Sequence, residues 1–105
     1  MVKRKNAVKK VSEIATHEGK EWIRGLLRSE VVTITFDKLD GTSRELHCTL
    51  IESKIPDEMK PKNSGKSKSS EVIAVFDVEN HGWRSFRYDS VRRVEFGFGK
   101  SVENE

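Results

Sequence analysis

The chain has 105 residues, of which 34% are apolar and 35% charged, so it has room for one domain with a modest core. No stretch approaches the roughly 20 apolar residues that a membrane-spanning helix needs, which excludes such a helix. The single cysteine, Cys48, excludes an internal disulfide and a cysteine-based zinc site. The first ten residues lack the apolar core of a signal peptide, so we expect a cytoplasmic protein.

The net charge of +3 is unevenly distributed along the chain. Residues 1–10 contain five basic residues and no acid, and residues 59–70 contain four lysines and no acid. The other 83 residues therefore sum to −6. We expect residues 1–11 to form a flexible basic arm and residues 99–105 a flexible acidic tail, because neither segment has enough apolar residues to be ordered alone.

The first periodic segment predicts a helix over residues 14–28. Its apolar stripe consists of Trp22, Ile23, Leu26 and Leu27. Ser12 and Thr16 are both of the residue type that caps a helix start. Gly19 and Gly25 each cost about 1 kcal/mol relative to alanine inside a helix, so both weaken the predicted helix.

After Glu30 the apolar period changes to two, which predicts strands. The first is residues 31–38 and the second residues 43–52, joined by a turn at Asp40-Gly41 that is typical of a hairpin. Three more strands are predicted, over residues 71–78, 83–88 and 91–96. Between the second and third lies a polar stretch that contains both prolines, which predicts a long loop over residues 53–70.

Five short strands cannot hide both faces of a flat sheet, so closure around one apolar interior is the favoured arrangement. We therefore predict a mainly β domain over residues 12–98. It consists of an N-terminal α-helix followed by a five-stranded, strongly bent antiparallel small β-barrel, with the helix stripe covering one open end or one seam.

Two stretches resemble a known family. Residues 31–50, VVTITFDKLDGTSRELHCTL, and residues 75–96, VFDVENHGWRSFRYDSVRRVEF, are similar to small phage-encoded proteins of a WYL-like family with an Sm-like barrel. The segment from Phe86 to Val91 resembles the end of the WYL domain of bacterial transcription regulators. Because WYL domains are regarded as ligand- or nucleic-acid-sensing modules, the resemblance implies an Sm-like (Src-homology-3-type) barrel and a phage regulatory protein in the host cytoplasm. It implies a binding role rather than catalysis.

The candidate nucleic-acid site is an aromatic residue among arginines on the last two predicted strands. Guanidinium groups pair with phosphates, and an exposed indole stacks on a base. The residues are Trp83, Arg84, Arg87, Arg92 and Arg93. Alternation places Trp83 and Arg87 on one exposed face. In the alternative interpretation, Trp83 packs under the helix and the arginines pair with Asp77, Glu79, Asp89 and Glu95.

The two lysine-rich segments are candidate electrostatic arms for a DNA or RNA backbone. Their basic residues are Lys3, Arg4, Lys5, Lys9 and Lys10 in the first segment, and Lys62, Lys66 and Lys68 in the second. Runs of lysine, serine and glycine also occur in ordinary solvated loops, so both interpretations are open.

The sequence contains no spacing typical of a catalytic or metal site. His47 and Cys48 alternate faces on one strand and cannot easily pair as base and nucleophile, so we expect no enzyme activity, no metal and no cofactor. The −6 charge outside the lysine-rich segments favours a second hypothesis. In it the chain is a protein-interaction module that binds and modulates a host enzyme, or self-assembles through strand edges. The expected partners are thus DNA or RNA, alternatively a host protein or further copies, and no membrane.

Overall fold

The structure is a computed structural model that describes residues 11–60, 71–97 and 99–103. It contains one helix, α1 (His17–Ser29), and six strands. The strands are β1 (Val32–Asp37), β2 (Ser43–Thr49), β3 (Val72–Asp77), β4 (Gly82–Arg87), β5 (Val91–Phe96) and β6 (Lys100–Glu103). Single 3-10 turns occur at Val11–Glu13, Glu52–Lys54, Asp57–Met59 and Tyr88–Ser90. The predicted helix and five strands are confirmed, and β6 is additional.

The helix begins later than predicted because its first turn is capped by Thr16. The Thr16 hydroxyl accepts a hydrogen bond from the Gly19 N–H at 3.0 Å and donates one to the Glu13 carbonyl at 2.6 Å. Residues 11–13 form a separate 3-10 turn that packs against the start of α1. A Cβ on Gly19 would lie 1.9 Å from the Glu13 carbonyl oxygen, so only glycine permits this contact.

The strands form one antiparallel sheet in the order β4-β3-β2-β1-β5-β6. The sheet curls strongly. Its curvature is seen in the rings of Phe36 on β1 and Phe86 on β4, which stack with centroids 5.1 Å apart although two strands lie between β1 and β4. Among the described residues no ladder joins β4 to β5 or β6, so the predicted closed five-stranded barrel is in fact an open, barrel-like sheet of six strands.

A β-bulge on β5 keeps the apolar residues of that strand pointing inward. Thr35 pairs with Arg93, whereas the next residue, Phe36, pairs with Val91. Arg92 is therefore the extra residue of the bulge, and Val91 and Val94 are both buried although they are three positions apart.

The predicted flexible acidic tail is wrong for its first part, since Lys100–Glu103 forms β6 along the edge of β5. Gly97 and Gly99 have positive φ values of 60° and 87°, which allows the tight turn between the two strands. Val102 lies opposite Val94 and is buried in the core. Glu105 lies outside the described residues.

One apolar cluster fills the inside of the curled sheet, and α1 packs against it. Ile23 and Leu27 are fully buried and Trp22 and Leu26 partly buried, which confirms the predicted stripe. Arg24 donates to the Tyr88 hydroxyl at 2.9 Å and so ties α1 to the turn after β4. The cluster comprises Val11, Ile14, Ile23, Leu27, Val32, Ile34, Phe36, Leu46, Cys48, Ile73, Val75, Phe86, Tyr88, Val91, Val94 and Val102.

The two helix glycines provide a matched test of this packing. Gly19→Ala is expected to lower the free energy of unfolding by about 1–3 kcal/mol, because backbone atoms must move apart. Gly25→Ala, whose Cβ would meet nothing within 4 Å, is expected to raise it by about 1 kcal/mol, since alanine is the better helix former. Urea unfolding followed by circular dichroism measures both. Equal stability of the two variants would contradict the close approach of Gly19 to Glu13.

Candidate nucleic-acid interface

Trp83 lies on the outer face of β4 and is half-buried. Its indole N–H donates to the Met59 carbonyl at 2.7 Å, and its ring meets that of Phe76 edge-on with centroids 5.8 Å apart. Phe76 and Ile55 are also buried outside the main cluster. The segment that follows β2 therefore covers Trp83. Trp83 is thus half-buried rather than fully exposed, and its described contacts are with Met59 and Phe76 rather than with the helix; its stacking role stays a prediction.

Three of the predicted arginines are held by carboxylates on the protein surface. Arg87 donates twice to Asp89, at 3.0 and 3.1 Å, and once to Glu71 at 3.3 Å. These hydrogen bonds raise the pKa of Arg87 and lower the pKa of Asp89. The guanidinium is therefore locally neutralised, and its charge does not produce an open cationic surface.

Arg92 and Arg93 on β5 are paired in the same way. Arg92 donates to Asp37 at 2.8 Å. Arg93 donates to Glu95 at 2.7 and 3.0 Å and also to Glu103 on β6. Hydrogen bonding to Glu95 is the main cause of the raised pKa of Arg93. The predicted partners Asp77, Asp89 and Glu95 are thus confirmed, whereas Glu79 pairs with His47 at 3.6 Å instead.

The five predicted residues lie on two strands and on both faces of the sheet. Trp83 and Arg87 share the outer face as predicted, but Arg84 lies on the same face as the buried Phe86. The structure therefore divides the site into Trp83 with Arg87, Arg84 alone on the inner face, and Arg92 with Arg93.

Arg84 and Arg44, for which no sequence pattern predicted a role, approach the same carboxylate. Arg84 Nε lies 3.6 Å and Arg44 Nη2 lies 3.9 Å from the same oxygen, Oδ2 of Asp77. Only 1% of the Asp77 side chain is exposed, whereas the arginines are 36% and 38% exposed. No sequence pattern indicates this pair, because β3 lies between the strands that carry the two arginines, and the residue that both approach is Asp77.

The Asp77 carboxylate is held by the turn that follows it. Oδ1 accepts from the backbone N–H groups of Glu79 and Asn80 at 2.9 and 3.1 Å, and Oδ2 accepts from the Asn80 side chain at 3.0 Å. Burial alone would raise the pKa of Asp77. The hydrogen bonds from Asn80 and Glu79, together with the charge of Arg84, outweigh burial and lower the pKa.

The lysine-rich residues themselves lie outside the described residues, but their attachment points do not. The turn Val11–Glu13, which follows residues 1–10, packs against β5. Met59, two residues before position 61, is bonded to Trp83, and Glu71, directly after position 70, is paired with Arg87. Each basic segment thus joins the fold beside one of the two arginine-bearing strands.

The described residues contain no group of three or more His, Cys, Asp or Glu side chains that could hold a metal ion. Cys48 is fully buried, and burial, followed by the charge of Asp77, raises its pKa to about 12. It is therefore a core residue, as predicted. His47 faces away from it and shares a hydrogen bond of 2.8 Å with the Thr33 hydroxyl.

A family model described as "WYL_2, Sm-like SH3 beta-barrel fold" matches residues 21–91, about two thirds of the chain. The chain belongs to the WYL_2 family. This WYL_2 protein is also 34% identical over 95 residues to the "Uncharacterized 11.5 kDa protein in Gp31-cd intergenic region" of Enterobacteria phage T4. That match covers 85% of this chain and 90% of the relative. No solved structure matches.

These similarities confirm the resemblance and the mainly β, Sm-like fold class drawn from the sequence, and they support a phage origin for this WYL_2 protein. Within the described ranges, α1 is too short and too polar to cross a membrane. The predicted barrel of the family corresponds here to the open, curled sheet with its additional strand β6.

Asp77→Asn is expected to lower the free energy of unfolding at pH 7 by about 2 kcal/mol, because charge-assisted hydrogen bonds are lost. A lowered pKa means that the carboxylate stabilises the fold above the unfolded-state pKa of about 3.9, and that this stability is lost as the pH falls through the folded-state value. The difference from the wild type should therefore shrink as the pH falls below the unfolded-state pKa of about 3.9. Urea unfolding between pH 2.5 and 7 measures this difference in the free energy of unfolding. Asp57→Asn, at a 94% exposed carboxylate, is the control expected to change little.

Trp83→Ala is expected to lower the free energy of unfolding by about 3 kcal/mol, because the cover over Phe76 loses its largest ring. Trp83→Phe keeps an aromatic ring but loses the N–H donor to Met59, and should cost about 1 kcal/mol. Thermal unfolding followed by circular dichroism measures both changes. A Trp83→Ala protein of unchanged stability but reduced affinity for nucleic acid would contradict the packing role of Trp83 and support its predicted stacking role.

Proposed function

We propose that this WYL_2 protein is a non-enzymatic regulatory protein of phage origin that binds DNA or RNA in the host cytoplasm. The observation that carries the proposal is the position at which the lysine-rich residues join the fold. Residues 61–70 are preceded by Met59, bonded to Trp83, and followed by Glu71, paired with Arg87. Both attachments are on β4.

The two attachments place the residues on either side of 61–70 beside a single strand. Trp83 and Arg87 are four residues apart on β4, which corresponds to about 13 Å along a strand. The Tyr88 N–H also donates to the Glu71 carbonyl at 3.0 Å, which fixes the second attachment through the backbone. Trp83 and Arg87 thus act as positioning residues for the basic segment, and the lysines make the contact with phosphates.

Binding of this kind is electrostatic and largely independent of base sequence. Arg87, Arg92 and Arg93 are already compensated by carboxylates, so most of the excess positive charge belongs to residues 1–10, with five basic residues, and 61–70, with three. If all of these contact a duplex, the affinity should fall with salt with a log–log slope of about −7, because each contact releases condensed counterions.

A specific observation favours the second hypothesis, a protein-interaction module. Within residues 11–60, 71–97 and 99–103, β4 and β6 each have one edge without a neighbouring strand. Unpaired edges can add a strand from a partner or from a second copy. β6 is short and begins with a lysine, which disfavours such pairing, so β4 is the more open edge.

Changing Lys62, Lys66 and Lys68 to serine is expected to weaken binding to a fluorescein-labelled 20-base-pair DNA and to reduce the salt slope by about 3, because three phosphate contacts are lost. Fluorescence anisotropy between 50 and 300 mM NaCl measures this effect. The triple change of the exposed Lys38, Lys54 and Lys100 to serine alters the net charge equally and should reduce the slope by less than 1.

Equal effects of the two triple variants would contradict binding through residues 61–70 and indicate only a response to net charge. The second hypothesis is tested by a pull-down from host lysate with and without nuclease. Retention of the same host protein after nuclease treatment, with no nucleic acid recovered, would favour the interaction module and contradict the nucleic-acid proposal.

A further inference from the structure

We infer that Arg44 and Arg84 form a binding site for a phosphate group beside Asp77. The inference extends the proposed function, since it assigns a phosphate contact of the nucleic-acid backbone to residues of the folded sheet. Both guanidinium groups approach one carboxylate oxygen, with nitrogen–oxygen distances of 3.6 and 3.9 Å. They are therefore close enough for one tetrahedral oxyanion to accept hydrogen bonds from both.

Asp77 compensates the arginines without using their donors. The two distances exceed those of a hydrogen bond, and the carboxylate instead accepts from Glu79 and from Asn80 at 2.9–3.1 Å. Within the described part of the chain, Arg84 donates only to the Trp83 carbonyl, and Arg44 donates no hydrogen bond. Arginine carries five N–H donors, so most of the donors of this pair remain available to a ligand.

Arg44 and Arg84 differ in local net charge from the other strand arginines that face carboxylates. Arg87 and Arg93 each face two carboxylates, and Arg92 faces one, so none of these groups has a positive excess. Arg44 and Arg84 together face a single carboxylate and retain a charge of +1. Glu79, in the same turn, lies 3.6 Å from His47, and within the described residues it forms no ion pair with either arginine. An anion is therefore more favoured at Arg44 and Arg84 than at Arg87, Arg92 or Arg93.

The two arginines are accessible to solvent, and the residues around them leave space for the guanidinium of Arg84. The arginine side chains are 38% and 36% exposed, while the carboxylate between them is buried and fixed by its turn. A Cβ at position 82 would lie 2.8 Å from Arg84 Nη1, so Gly82 leaves the space that this guanidinium occupies. The planar fork of arginine matches the oxygens of a phosphate and favours this ligand over a monatomic anion.

The test uses the full chain and the variants Arg44→Gln, Arg84→Gln and the double change. Arg92→Gln and Arg93→Gln are matched controls, because they remove arginines that are already hydrogen-bonded to carboxylates. Each site variant should bind the labelled 20-base-pair DNA about tenfold more weakly at 100 mM NaCl, because a charge-assisted contact is lost, whereas the controls should change by less than about twofold.

Inorganic phosphate is the second probe. The arginine Nε–Hε signals of Arg44 and Arg84 should shift in nuclear magnetic resonance spectra as phosphate is added at constant ionic strength, and those of Arg87 and Arg93 should not. Phosphate shifts without DNA binding by the wild type would support the site as one for a free phosphate or nucleotide and contradict the proposed function. DNA binding that is equal in the wild type and the double variant, with no phosphate shifts, would overturn the site and leave the proposed function standing.

Arg44→Gln is expected to remain folded, because Arg44 makes no hydrogen bond within the described residues. Its affinity therefore tests the site even if another variant unfolds. Arg44→Lys keeps the charge but loses the planar fork. An affinity between those of the wild type and Arg44→Gln would support phosphate recognition. An affinity equal to that of Arg44→Gln, in a folded protein, would contradict a contribution from charge at this position.

Discussion

One buried carboxylate, that of Asp77, lies at the junction between the two halves of the sheet and holds the turn that leads to β4. β2 and β3 are joined by only two residue pairs, and Asp77 forms one of them, opposite Cys48. The same side chain organises the turn to β4 through Glu79 and Asn80. An unpaired charge at this depth would cost several kcal/mol, so the hydrogen bonds from Glu79 and Asn80 and the nearby charge of Arg84 stabilise the turn. The turn leads directly into β4, which carries Trp83.

The elements with regular apolar periods could be predicted from the sequence, because their side chains report directly on the buried face. The stripe around Ile23 and Leu27 and the alternation in β1 are of this kind. β6 could not be predicted, since Val102 is its one buried apolar residue and the strand is held by pairing with β5. The bulge at Arg92 could not be predicted either, because it depends on the register between β1 and β5 rather than on local sequence.

The candidate site was harder to predict because charge compensation acts between distant positions. Arg92 and its partner Asp37 are 55 positions apart, and Trp83 is covered by Met59, 24 positions earlier. A sequence shows the density of arginines but not which carboxylates the sheet brings to them. For Arg44 the sequence indicates no role at all. Arg44 becomes a candidate site residue only because the fold brings Asp77 within 3.9 Å of its guanidinium.

The central position of β1 has a consequence for how the chain folds during synthesis. The hairpins β1–β2 and β3–β4 join neighbouring segments, whereas the ladder between β1 and β5 closes a loop from Thr33 to Glu95. Ladders between distant segments form slowly, because the entropy of loop closure opposes them until other contacts exist. Until Phe96 has left the ribosome, one edge of β1 has no partner. A truncated or stalled chain that ends earlier would therefore expose an apolar strand to aggregation.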